Sequence, residues 1–115
     1  MTQALIAAVV VLGTVAALTA MSMNANRRYA TQPRLPMQWG LDGSVNWTAR
    51  RQLALAFTPV LAAICLVTVA AAAAFIKPRP GQEDLVLPVV ILCAVFLGAH
   101  ALHLWLIQRA LRRQR

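Results

Sequence analysis

His100 and His103 are the two histidines of the chain. Three residues apart, they share one face of any helix that contains them. Imidazoles so placed could bind a metal ion or a haem, or contact a partner. A metal needs more ligands, and the nearest candidates, Gln38 and Asp42, lie far upstream. The pair is therefore read as interfacial histidines that bond to headgroups, water or the first loop, and no cofactor is expected. Other chemistry is sparse. There is no CxxC, no phosphate-binding glycine loop and no Ser-His-Asp set that can be placed together. The long apolar runs hold no Asp, Glu, Lys or Arg, the residues of proton relays and ion paths in membranes. Enzymatic activity is not expected.

The elements that must position these residues are three apolar runs, 4–23, 53–76 and 85–107. The composition is 60% hydrophobic and 12% charged over 115 residues, far from the balance of a soluble domain. Each run reaches the ~20 residues that span a hydrocarbon core. A soluble chain this short could not cover three helices that are apolar all round. The expected fold is an all-α membrane protein. It has three transmembrane helices, a structured interfacial loop at 24–51 and a basic tail at 108–115, in one membrane domain over 1–115. The first run lacks a basic leading region, exceeds the usual signal-peptide core and is followed by Arg27 and Arg28, so it reads as a retained anchor.

Local signals refine this picture. Gly13 and Ala17, Ala16 and Ala20, and Ala94 and Gly98 are small-xxx-small pairs that would let helices approach closely. Asn24 and Asn26 should end the first run. Thr48 is a candidate N-cap for the second helix, with Arg50 and Arg51 snorkelling to lipid phosphate. Pro59 should kink that helix. The Lys77-Pro78-Arg79-Pro80-Gly81 segment turns the chain, Glu83 and Asp84 lie at the start of the third helix, and Pro88 falls in its first turn. Beyond Trp105 the helix should run on into water. Cys65 and Cys93 read as apolar packers; a disulfide between them would require equal depth.

The net charge of +8 is not a nucleic-acid signature, because the basic residues flank apolar spans and would meet anionic headgroups. Arg27, Arg28, Arg34, Arg50 and Arg51 lie in the first loop, and Arg109, Arg112, Arg113 and Arg115 in the tail. Three spans place that loop and that tail on one side. Lys77 and Arg79 alone face the other. The positive-inside rule then puts the N-terminus outside and the C-terminus in the cytoplasm. Tyr29, Trp39, Trp47 and Trp105 fall at the same basic boundary, where aromatic rings favour the headgroup level.

The first loop is too long for a mere helix connection. Leu35, Met37, Trp39 and Leu41 alternate with Arg34, Pro36, Gln38 and Gly40, as in a short extended piece with one apolar face. Asp42-Gly43 marks a turn, and Val45 and Trp47 continue the pattern. The order Leu-Pro-Met-Gln-Trp, then Asp-Gly, then Trp-Thr-Ala-Arg before an apolar helix resembles the DUF1648 domain of the SdpI family of bacterial immunity and signalling membrane proteins. The resemblance covers roughly residues 10–65. It implies a bacterial inner-membrane protein that acts without catalysis, with recognition carried by Pro36, Gln38, Trp39, Asp42 and Gly43, and Arg50 as the basic residue before the next helix. Three features depart from the family. Gln38 stands where many members have His, the chain has three spans where fuller members have more, and the arginines place inside the cell a loop that many relatives place outside. A protein partner or homo-oligomer is expected; the alternative is an accessory subunit of a respiratory or transport assembly.

Overall fold

The computed structural model describes residues 2–75 and 86–113. The expected turn at 77–81, with Glu83 and Asp84, lies outside them. The element order is α1 (Thr2–Arg28), β1 (Arg34–Trp39), β2 (Val45–Arg50), α2 (Arg51–Phe75) and α3 (Val86–Arg113). All three helices are long and apolar enough to cross a membrane. Only 22%, 33% and 17% of the most apolar window of each is buried within the chain. The remaining apolar surface calls for lipid or for other helices.

α1 makes most of the helix–helix contacts, with both α2 and α3, which also touch each other directly. Its buried residues are Ala7, Val11, Thr14, Leu18, Ser22, Ala25 and Tyr29, steps of three and four that trace one helical stripe. α3 answers with Val89, Cys93, His100, Ile107 and Ala110. Ala7, Val11, Leu18, Ala62, Leu66, Val89 and Cys93 form one core, which reaches from mid-bundle toward the end away from the arginines. A second core sits at the arginine end, where Leu35 and Ala49 of the strands meet Ala25, Tyr29, Ala54, Leu55 and Ile107 of the helices.

The small-residue pairs do not make these contacts. Gly13, Ala16, Ala17, Ala20, Ala94 and Gly98 are all exposed, and a Cβ added at Gly13 or Gly98 would meet nothing within 4 Å. The stripe that packs is offset from them, and uniform apolarity hides which stripe that is. α1 also runs past Asn24 and Asn26 to Arg28, because a helix leaving the hydrocarbon can continue in the interface. α3 likewise continues past Trp105 to Arg113, with Pro88 in its first turn. Cys65 and Cys93 are free thiols, Cys65 half-buried and Cys93 buried.

The first loop folds as an antiparallel hairpin, pairing Arg34 with Arg50, Leu35 with Ala49, Gln38 with Trp47 and Trp39 with Val45. The register shifts between Pro36 and Gln38 and again before Trp39; Pro36 has no N–H for the ladder, and such residues gather at irregularities. The turn is closed by Gly40 N–H to the Ser44 carbonyl at 2.8 Å and Gly43 N–H to the Gly40 carbonyl at 3.0 Å. Gly43 takes a φ of +85°, a conformation that glycine adopts without steric cost. A two-stranded hairpin is marginal by itself in water. Here Leu35, fully buried, anchors it to the helix ends.

Two local expectations are corrected. Thr48 is not an N-cap: it lies in β2, where its hydroxyl and carbonyl accept bonds from Arg34 Nε (2.8 Å) and Nη2 (2.6 Å). Arg51 does not reach outward to lipid phosphate. Its Nη1 donates to the carbonyls of Ala30 (2.8 Å) and Gln32 (2.9 Å), and its Nε to Asn26 Oδ1 (2.7 Å). Backbone acceptors just past a helix C-terminus are otherwise short of donors and sit at the negative dipole end. Arg51 satisfies them and latches the start of α2 to the end of α1.

Candidate functional site

Pro59 lies inside α2 and offers no N–H to the carbonyl four residues earlier, that of Leu55. Ser22 of α1 supplies the missing donor, with its Oγ 2.6 Å from the Leu55 oxygen. The same Oγ lies 2.8 Å from Nε2 of His100. A hydroxyl has one proton. Since Ser22 gives it to Leu55, the imidazole Nε2–H donates to Ser22. One polar chain therefore ties all three helices between the two cores. His100 is fully buried, and its Nδ1 has no hydrogen-bond partner. Neither Ser22 nor Leu55 stood out in the sequence. The available signal was Pro59, which frees a carbonyl at a known offset in a setting without water.

His103, one turn on, faces the hairpin. Its Nε2 is 3.4 Å from the Pro36 carbonyl, and its ring meets that of Trp39 edge-on at 5.8 Å. The two histidines thus do different work, one between helices and one against the first loop. Among the described residues, no three His, Cys, Asp or Glu side chains converge to hold a metal ion.

The five loop residues singled out in the sequence divide by position. Pro36 is buried and Trp39 half-buried against α3. Gln38 is exposed, and its Oε1 accepts a bond from Trp47 Nε1 at 2.7 Å across the strands. Asp42 and Gly43 form the tip. Asp42 Oδ1 accepts from the Ser44 hydroxyl (2.6 Å) and amide (3.0 Å). First the Ser44 hydroxyl and then its amide hold the Asp42 carboxyl below its ordinary 3.8. A Cβ added at Gly40 would stand 2.9 Å from Asp42 Oδ1, so a side chain there would displace that carboxylate.

The tip residues and Trp39 line a cavity of about 340 Å³ with Arg109 and Arg113 of α3. Leu41 stands fully in the open and Trp47 is 49% exposed. Asp42 is the sole carboxylate among the described residues, against Arg27, Arg28, Arg34, Arg50, Arg51, Arg109, Arg112 and Arg113. Arg109 also lies over the Trp105 ring, 5.5 Å from its centroid, a cation–π distance. The surface is cationic and carries two exposed apolar side chains, Leu41 and Trp47. Comparison of the chain with family models, curated proteins and solved structures finds no match.

Proposed function

We propose that this chain is a non-catalytic, multi-pass protein of the bacterial inner membrane that docks a protein partner through its hairpin, in the manner implied by its resemblance to the DUF1648/SdpI family. Immunity to a membrane-active toxin and the holding of a regulator at the membrane are both roles of this kind. The arginine end faces the cytoplasm, with the N-terminus outside, because positive side chains resist translocation. One observation carries the reading: the first loop is a folded hairpin seated on the helix ends, and it presents Leu41 and Trp47 among arginines that a single carboxylate cannot neutralise. The partner's matching chemistry is an acidic rim around an apolar patch. A photo-crosslinking residue at Leu41, in native membranes, should capture one cytosolic protein, and the yield should fall as salt rises. Capture of lipid alone, or of the same products from Leu5 near the other end of α1, overturns the reading.

A second reading is favoured by a separate observation. Gly13, Ala17 and Gly98 face outward with open space beside them, which suits an accessory subunit packed against helices of a larger complex. Co-purification with large integral subunits at a fixed ratio, abolished by Gly13→Leu, supports it; an unchanged lone chain contradicts it.

A further inference from the structure

At the arginine end, a cavity of about 370 Å³ lies between the end of α1 and α3. Arg28 and Arg112 enter it from opposite helices, with Thr31, Gln32 and Gln108 supplying further polar groups. Among the described residues no acidic one lines it, and both arginines are exposed. A second cavity of about 270 Å³ shares Arg28, Tyr29 and Gln108 with the first and continues down the α1–α3 seam. Deeper, its wall becomes mostly apolar, with Met21 and Ala25 beside Asn24 on one helix and Ala101, Leu104 and Trp105 on the other. The residues on each side recur at helical spacing, so the cavity follows the seam for about two turns of each helix. A polar, doubly cationic mouth above an apolar slot has the layout of a phospholipid: phosphate above, acyl chain below.

We propose that this seam is a binding site for one anionic phospholipid, its phosphate held between Arg28 and Arg112 and an acyl chain lying along α1 and α3. The site is separate from the hairpin tip and does not depend on the docking reading. Basic cavities between spans on the cytoplasmic side are suited to such headgroups, and a basic residue near the surface is worth about a five-fold gain in affinity for anionic lipid.

Native mass spectrometry of the full-length chain in mixed micelles of phosphatidylglycerol and phosphatidylcholine tests this. The wild type should retain one phosphatidylglycerol per chain in preference to phosphatidylcholine. Arg28→Gln with Arg112→Gln should weaken retention about 25-fold. Arg27→Gln with Arg50→Gln removes the same charge from residues that line neither cavity, and should weaken retention clearly less than the Arg28/Arg112 pair. Ala101→Phe fills the slot and should also lower retention, with both arginines intact. Three results overturn the proposal: an equal loss in the Arg27/Arg50 variant, full retention in the Arg28/Arg112 variant, or displacement by glycerol phosphate as effective as by the whole lipid. The last would make the mouth a free-phosphate site with no chain in the seam.

Discussion

The core away from the arginines and the arginine-end core are built from similar residues but held together by different forces. Around Leu18, Ala62, Leu66 and Cys93 the alternative to helix contact is lipid. Lipid is as apolar as leucine, so only shape and dispersion favour association there. Around Leu35, Ala49, Tyr29 and Ile107 the hairpin's alternative is water, so burial is driven by the hydrophobic effect. Directed bonds reinforce it, from Arg51 to the α1 end and from Arg34 to Thr48. One end is a loose, adaptable bundle and the other a specified surface. A chain that recognises something through its loop needs this asymmetry, because the recognising part must be rigid while the spans need only remain in the membrane.

The largest contrast should come from matched truncations. Leu35→Ala removes a side chain with no exposure from the water-side core, and should cost about 2–5 kcal/mol of hairpin stability. Leu66→Ala, buried at 1% exposure, should cost clearly less, since the separated helices would expose this side chain to lipid rather than to water. Unfolding in detergent followed by tryptophan fluorescence reports both, and equal losses break the comparison. Arg51→Met should follow, at about 1.5–3 kcal/mol for charge-assisted bonds lost; Arg51→Lys should recover only part, because an ammonium lacks the guanidinium fork. Exposed Arg50→Gln should stay within about 0.5 kcal/mol.

A smaller effect sharpens the boundary between the cores. Ser22→Ala deprives the Leu55 carbonyl and His100 of a shared partner, and interhelical bonds in membranes are worth about 0.6–1.7 kcal/mol. In a Pro59→Ala background the new amide can serve Leu55, so the same change should cost less. Additive costs in that double-mutant cycle contradict the relay. Smallest is the tip. Asp42 has its folded pKa lowered by Ser44, so its contribution is present above the ordinary carboxylate value and lost as pH falls through the lowered one. Ser44→Ala should move the Asp42 titration, read by NMR, back upward toward 3.8.

Much of this architecture was legible in the sequence. Uncharged runs of spanning length gave three helices, and the alternation from Arg34 to Leu41, with Asp42-Gly43, marked an extended piece and a turn. Leu35, Met37 and Trp39 do face the helices, whereas Leu41 belongs to the turn and points away. The contact faces were not legible. A helix that is apolar all round gives no moment to read, so Gly13 and Gly98 looked like contact points and are not. The roles of Ser22 and Arg51 were hidden for another reason. Each depends on a backbone carbonyl left without a donor, by Pro59 in one case and by the α1 end in the other. Such carbonyls have no residue letter.

The account rests on a folded hairpin presented to the cytoplasm at the arginine end. Leu41→Cys, at the exposed tip, reports this directly through reaction with a membrane-impermeant maleimide. Labelling in everted vesicles and none in intact cells is the expected result, with Cys65 and Cys93 silent within the spans. Labelling at Leu41→Cys in intact cells would contradict it.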